Sequence, residues 1–189
     1  MLLNRPDFEA EVRESIDFNP ITSILGPRQC GKTTLARIIS GSLQSTFFDL
    51  EDPADYELLK TSPKNILSQQ AGLVIIDEIQ RLPELFPLLR VLADNDDPKS
   101  KYLILGSASP DLIQKSSESL AGRIGFVNLT GFRLNEVGIE NLETLWLRGG
   151  FPKSFLAASE KQSMAWRNDF TLTFLERDIS RLGINIPPV

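Results

Sequence analysis

The nine-residue stretch GPRQCGKTT, residues 26–34, limits most strongly what this chain can fold into. Glycine loses more conformational freedom on folding than any other residue, and lysine carries a strongly hydrated charge, so packing alone does not favour this combination. Gly26, Gly31, Lys32 and Thr33 occupy the fixed positions of the pattern GxxxxGK[ST]. In that pattern the loop N–H groups and the lysine bind phosphate oxygens, and the hydroxyl binds Mg²⁺. The stretch therefore predicts a phosphate-binding loop.

The segments beside this loop follow in the order that such a loop requires. ITSIL before it predicts a short buried strand, and KTTLARIIS after it places Leu35, Ile38 and Ile39 on one helical face. The helix adds its positive dipole end beneath a bound phosphate. Cys30 is expected to be a tolerated small residue rather than a redox centre. The residues predicted to bind the nucleotide are Gly26, Pro27, Arg28, Gln29, Cys30, Gly31, Lys32, Thr33 and Thr34.

The composition excludes several kinds of site. One cysteine cannot form an internal disulfide, and with no histidine the chain has almost no ligands for zinc. Any metal is therefore expected to be a hard cation held by oxygen, and catalysis by histidine is excluded. The net charge of −5 argues against tight nonspecific binding of nucleic acid by the domain as a whole, which leaves a local basic surface or a missing domain as the routes to such binding.

The sequence also gives no sign of a membrane protein. No apolar run approaches the roughly 20 residues that a helix needs to span a bilayer. MLLNRPDFEA, at the start of the chain, is too short and too acidic for a signal peptide. We therefore expect a cytoplasmic protein without a membrane partner.

Alternating apolar and helical patterns predict an α/β fold. PDFEAEVRESIDF reads as a leading helix, and five strands are predicted at ITSIL, STFFDL, GLVIID, KYLILGS and IGFVNL, with helical patterns between them. Such alternation predicts a parallel sheet with helices on both faces. From Gly131 onward only helical patterns occur. We predict a core domain over residues 1–130 and a helical lid over residues 131–189.

Two acids end the third predicted strand, LVIIDE. Taken alone, such a pair is more typical of a solvated loop start, but the glycine loop upstream favours a metal role. We expect Asp77 to hold Mg²⁺ together with Thr33, and Glu78 to orient and polarise the attacking water.

Four more residues are candidates, and three of them have alternative interpretations. Ser107 at the tip of LILGSAS, and less surely Ser109, can hydrogen-bond a γ-phosphate, although Ser107 can equally cap the next helix. Arg123 in SLAGRIG is either an ordinary surface arginine or a finger that neutralises charge on a neighbouring copy's phosphate, which would imply a homo-oligomer. Asp49, which ends the second strand, either pairs with the site, or tunes Glu78, or is a plain turn acid, and the turn acid is favoured.

Taken as a set, the glycine loop, IIDEIQ, GSAS, ESLAGR and GGFP resemble the AAA-type ATPase domain of prokaryotic ATP-binding proteins. These proteins carry an uncharacterised C-terminal domain, in the pairing known as AAA_14 and DUF4143. The resemblance runs from about Arg5 through FLERDIS. It implies a P-loop NTPase fold, a five-stranded parallel sheet in the order 5-1-4-3-2 flanked by helices, and a small C-terminal helical lid.

The resemblance also implies roles for the matching positions. Lys32 and Thr33 would bind phosphate and Mg²⁺, Asp77 would bind Mg²⁺, and Glu78 would be the base. By the same resemblance, Ser107 would be the sensor and Arg123 the finger.

Two departures from the family's pattern accompany these roles. Family members usually continue for a second domain of comparable size, whereas this sequence ends at Val189. By the resemblance, residues 131–189 hold the lid and the start of a truncated C-terminal region, and the chain is either a fragment or a truncated homologue. The lid also lacks a clear second-sensor arginine, for which Arg148 and Lys153 are weak candidates.

Three functions are compatible with these residues. The leading one is hydrolysis of ATP with Mg²⁺ to drive a conformational change, because a candidate base, sensor and finger accompany the loop. The alternative is a nucleotide-gated switch or scaffold with little turnover. A small-molecule kinase ranks last, because no acceptor-binding motif is evident. ATP is favoured over GTP by the resemblance and by the lack of an NKxD-like guanine motif.

Overall fold

The computed structural model describes residues 3–95, 99–107, 116 and 118–174. The chain divides into two compact units. The first is Asn4–Thr130, and the second comprises Met1–Leu3 with Gly131–Val189, of which Leu3 and residues 131–174 are described. Within the described part of the chain, no helix is both long and apolar enough to cross a membrane.

The first unit alternates strands and helices, as the sequence predicts. Its strands are β1 (Ile21–Gly26), β2 (Ser45–Asp49), β3 (Gly72–Asp77), β4 (Ser100–Ser107) and β5 (Ile124–Asn128). Its helices with described bounds are α1 (Pro6–Phe18), α2 (Lys32–Ser40), α3 (Pro53–Thr61), α4 (Pro63–Ser68) and α5 (Leu85–Ala93). The predicted helix over SPDLIQKSSES falls largely outside the described residues.

The five strands form one sheet in the order β2-β3-β4-β1-β5, and every neighbouring pair is parallel. This is the order 5-1-4-3-2 that the resemblance implies, so that prediction is confirmed. The carboxyl ends of parallel strands lie at one edge of a sheet. The edge therefore brings together the loop after β1, Asp77 at the end of β3, and Ser107 at the end of β4 between them.

The core of this unit lies on both sides of the sheet. All six residues of β1 are buried, and so are five of the six in β3, as expected of central strands covered by helices on both faces. The predicted apolar face of α1, namely Phe8, Val12 and Ile16, is buried as well. Packing thus fixes β1 along its whole length and β3 along all but its first residue.

The second unit is helical over its described residues. It contains α6 (Leu134–Val137), α7 (Leu142–Arg148), α8 (Pro152–Phe155) and α9 (Glu160–Phe174). A small core forms around Phe132, Val137 and Phe155, with the rings of Phe132 and Phe155 edge to face at 5.6 Å. A Cβ added at Gly150 would lie 2.5 Å from the Phe132 carbonyl oxygen, so this turn requires glycine.

Candidate functional site

The two glycines of the loop are needed for different physical reasons. A Cβ added at Gly26 would lie 2.2 Å from the carbonyl oxygen of Leu129, so only glycine allows the two backbones to approach. Gly31 has φ +102°, a conformation that side chains of L-residues rarely adopt, and a Cβ there would meet nothing within 4 Å. Gln29 is also left-handed, with φ 63°. The chain therefore curls tightly between β1 and α2.

Lys32 lies inside this curl. Its side chain is only 5% exposed, and Nζ donates hydrogen bonds to the carbonyl oxygens of Gly26 at 3.0 Å and Pro27 at 2.9 Å. A buried ammonium requires such partners, because it has lost most of its hydration. The loop thus surrounds a fixed positive charge at the N-terminus of α2.

The end of β3 lies against the start of α2. The Thr33 hydroxyl donates to Asp77 Oδ2 at 2.6 Å, and Asp77 Oδ1 accepts from the backbone N–H of Glu78 at 2.9 Å. The Asp77 side chain is 3% exposed. This burial raises the pKa of Asp77 above its ordinary value, against the opposing effect of the Thr33 hydrogen bond. Two hard oxygen groups, a hydroxyl and a carboxylate, are therefore in direct contact.

Glu78 follows in a strained backbone conformation. Its φ of 55° and ψ of 43° are left-handed, which costs a non-glycine residue about 1 kcal/mol. Burial, and secondarily the negative charge of Asp77, raises the pKa of Glu78. Gln80 Nε2 donates a hydrogen bond to Glu78 Oε2. Strain of this kind is typical of functional sites, where it aims a side chain in a direction that relaxed backbone would not give.

These residues fit a nucleotide with Mg²⁺. Mg²⁺ takes oxygen ligands and is usually held by one or two protein groups together with phosphate oxygens, which suits the adjacent Thr33 hydroxyl and Asp77 carboxylate. Lys32 and the N–H groups of the curled loop are the groups that would hold phosphate. The site needs no histidine or cysteine ligand.

Ser107 is the last residue of β4 and pairs in register with Gly26. It therefore ends at the same edge as the loop and Asp77, between the two strands that carry them. Ser109, and most of the segment whose helix Ser107 could cap, lie outside the described residues. Both interpretations of Ser107 accordingly stay open.

Arg123 lies at the opposite edge of the sheet. It directly precedes β5, and its carbonyl oxygen accepts from the N–H of Ile21, the first residue of β1. The six residues of β1 span about 20 Å, so Arg123 is too far from its own loop to reach a phosphate there. The guanidinium donates from Nε and NH2 to the two carboxylate oxygens of Asp94, the latter bond at 2.9 Å. This pairing lowers the pKa of Asp94 and raises that of Arg123.

The sequence did not predict the role of Arg5 behind the loop. Arg5 is 6% exposed, and its NH1 donates to the carbonyl oxygens of Cys30 at 3.3 Å and Thr130 at 2.9 Å. The guanidinium also lies 4.5 Å from the centre of the Phe8 ring. Arg5 thus braces the loop against the segment after β5. No sequence signal distinguishes it from other arginines.

Two further predicted residues have ordinary local contacts. The Cys30 thiol is fully buried and donates to the Leu129 carbonyl oxygen at 3.7 Å, and burial raises its pKa, so it remains a neutral thiol. Asp49 Oδ1 accepts from the backbone N–H of Glu51 at 2.9 Å. Asp49 is therefore a turn acid, although its charge also contributes to the raised pKa of Asp77.

A family model described as an AAA domain, AAA_14, matches residues 18–138 of the sequence. The chain belongs to this AAA domain family. The match covers both halves of the site, the loop and the Asp77–Glu78 pair, and it confirms the family that the sequence motifs indicate. A second model, a domain of unknown function named DUF8612, matches residues 139–189.

Known proteins similar to this AAA domain extend the comparison. Two curated proteins, both named as uncharacterized, from Mycobacterium tuberculosis (strain H37Rv) and Mycobacterium bovis, are 48% identical over 187 residues. The match covers 99% of this chain and 42% of each relative, so the chain spans less than half of their length. A solved Walker-type ATPase of Pyrococcus abyssi is similar with a TM-score of 0.66 at 17% identity, over 96% of this chain and 75% of that one. The last comparison establishes the fold, a P-loop NTPase.

Proposed function

We propose that this AAA domain binds ATP with Mg²⁺ and hydrolyses it to drive a conformational change. The observation that carries the proposal is the contact between Thr33 and Asp77 beside the strained Glu78, at the edge where the curled loop encloses Lys32. A domain that only held nucleotide would need the loop and a metal ligand. Hydrolysis additionally requires a group that orients and activates the attacking water. The half-buried carboxylate of Glu78, in its strained conformation beside the loop and Asp77, suits that role.

Each residue has a distinct task in this proposal. The loop N–H groups and Lys32 hold the β- and γ-phosphates, for which Lys32 exchanges its bonds to the loop carbonyls. Thr33 and Asp77 would hold Mg²⁺, which when bound neutralises charge on the phosphates. Glu78 orients the water that attacks the γ-phosphate, and Ser107 hydrogen-bonds to that phosphate and responds to its loss.

Arg123 acts on a neighbouring copy in this proposal. It is remote from its own loop, and its present partner Asp94 is a half-exposed surface carboxylate. An exposed ion pair is worth little, so a bound phosphate of another copy can displace Asp94. The proposal therefore includes a homo-oligomer in which one copy completes the site of the next.

Steady-state phosphate release from ATP, measured across protein concentrations for wild type and Lys32→Ala, tests the proposal. We expect release that disappears in the variant and rises more than linearly with protein concentration, because each site needs an arginine from a neighbour. Absence of release, with ATP still raising the melting temperature, would instead favour the nucleotide-gated switch. Phosphate release that is unchanged in Lys32→Ala would contradict both the hydrolysis proposal and the nucleotide-gated switch.

A further inference from the structure

Gln80 lies in the 3₁₀ turn Ile79–Arg81 that directly follows Glu78. The turn is closed by a hydrogen bond of 2.9 Å from the N–H of Arg81 to the carbonyl oxygen of Glu78. Ile79 is fully buried in the main core and anchors the turn there. Gln80 is therefore held beside the proposed base by fixed backbone rather than by a loose loop.

The two ends of the Gln80 amide differ in their contacts. Nε2 donates to Glu78 Oε2. Oε1 is buried and finds no hydrogen-bond donor, and among the described residues it is the one buried side-chain polar atom in that condition. The opposite orientation of the amide would turn its oxygen toward the Glu78 carboxylate, where two acceptors repel each other. Glu78 thus fixes which end of the amide is left without a partner.

A buried acceptor without a partner lowers folding stability, and native proteins contain few of them. A leucine at position 80 would fill similar space without that cost. Exceptions of this kind occur mainly at functional sites, where a group is kept for a ligand or a reactant. Gln80 adjoins the proposed base Glu78 and donates to it, so the role that suits Gln80 is to hold that carboxylate in place.

We propose that Gln80 is a positioning residue for hydrolysis, which holds the Glu78 carboxylate through Nε2 in the orientation that takes a proton from the attacking water. This inference rests on the proposed ATP hydrolysis. The water oxygen forms a bond to the γ-phosphorus, and the bond from that phosphorus to the bridging oxygen of ADP breaks. Glu78 takes one proton of the water. The other proton stays on the phosphate product.

The matched experiment substitutes two glutamines in the same way. Gln70 is also partly buried, but both ends of its amide are satisfied. Its Oε1 accepts from the Thr46 hydroxyl at 2.8 Å, and its Nε2 donates to the Ile66 carbonyl oxygen at 2.9 Å. Gln70 precedes β3, so it lies at the edge of the sheet away from the loop. Gln80→Leu and Gln70→Leu therefore remove the same group from different environments.

We expect opposite results from the two variants. Gln80→Leu should lower kcat for phosphate release about tenfold to a hundredfold, the order of loss expected from misplaced reactants, with KM for ATP within about twofold of wild type. Its melting temperature without nucleotide should stay close to that of wild type, because removal of the unsatisfied acceptor offsets the loss of the hydrogen bond to Glu78. Gln70→Leu should keep kcat and melt at a lower temperature. Gln80→Met, with the same expectations, replaces the leucine variant if that protein misfolds.

Failure of this inference is distinguishable from failure of the proposed function. If wild type releases phosphate, Lys32→Ala abolishes that release, and Gln80→Leu retains the wild-type kcat, then only the role of Gln80 is overturned. A lowered melting temperature of Gln80→Leu with unchanged kcat would likewise assign Gln80 a structural role. If wild type itself releases no phosphate, the hydrolysis proposal and the inference drawn from it both fail.

Discussion

The two edges of the five-stranded sheet differ in how fully their polar side chains are satisfied by hydrogen bonds. At the carboxyl edge Lys32 and Asp77 are buried, Glu78 is strained, and Gln80 keeps an acceptor without a donor. At the amino edge Gln70 has partners at both ends of its amide. A glutamine at the amino edge thus stabilises the fold through both ends of its amide, whereas a glutamine at the carboxyl edge keeps one end unsatisfied. Among the described residues, the unsatisfied side-chain oxygen and the left-handed non-glycine residues Gln29 and Glu78 all lie in segments at the carboxyl edge.

Arg123 is the amino-edge residue whose loss should have the largest effect. Arginine fingers contribute about 10³-fold or more to hydrolysis, so Arg123→Ala should lower kcat by roughly that factor. Asp94→Ala, which removes the partner of Arg123 in this structure, should retain activity. Steady-state phosphate release at high protein concentration measures both variants.

Mixing variants tests the action of Arg123 on a neighbouring copy. Arg123→Ala keeps an intact Glu78, and Glu78→Gln keeps an intact arginine, so a mixture of the two proteins should regain activity that neither has alone. Equal loss in Asp94→Ala, or a mixture no more active than its components, would place Arg123 at the amino edge as a structural residue only.

Glu78→Gln should give the next largest loss. Removing a general base costs about 10²-fold to 10⁴-fold in rate, while the loop, Thr33 and Asp77 that would bind nucleotide are untouched. Phosphate release should therefore fall by at least about a hundredfold, and the rise in melting temperature on addition of ATP should persist. Hydrolysis by Glu78→Gln as fast as by wild type would show that another group is the base.

Substitution of a glycine at each of the two edges should change the folding stability of the protein by different amounts. Gly26→Ala forces a Cβ against the Leu129 carbonyl oxygen and should cost about 2 kcal/mol or more of folding free energy. Gly41, at the far end of α2, has φ −61°, and a Cβ there makes ordinary contacts at 3.5 Å. Gly41→Ala should change stability by only about 0.5 kcal/mol. Denaturant titration without nucleotide compares them, and equal losses would contradict the close approach at Gly26.

The smallest expected effect is a pH dependence of stability at the carboxyl edge. The pKa of Glu78 is raised by burial and by Asp77, so the folded protein holds this proton more tightly than the unfolded chain. Such a group contributes stability at low pH that is lost as the pH rises through the folded-state pKa. Without metal and nucleotide, wild type should therefore gain melting temperature relative to Glu78→Gln as the pH falls from about 7.5 to about 5. A constant difference over this range would contradict the raised pKa.

Much of the site could be predicted because its signals are local. The spacing of Gly26, Gly31, Lys32 and Thr33 specifies a loop whose geometry depends on adjacent residues, and LVIIDE shows a buried strand that ends in two acids. The structure places both at one edge of the sheet. The sequence offered no such signal for Gln80, because its distinguishing property is a missing partner, and that can be seen only once all neighbours are in place.

The sequence by itself determined the phosphate-binding loop, the alternation of strands and helices, and the family, because each is encoded in residues that are close along the chain. The tertiary structure decided the contacts between distant residues. Arg5 braces the loop through Cys30, 25 positions away, and Thr130, 125 positions away. Asp94 pairs with Arg123, and Gln80 keeps its unsatisfied oxygen. These outcomes depend on which surfaces meet when the sheet and its helices pack, and a one-dimensional pattern does not record that.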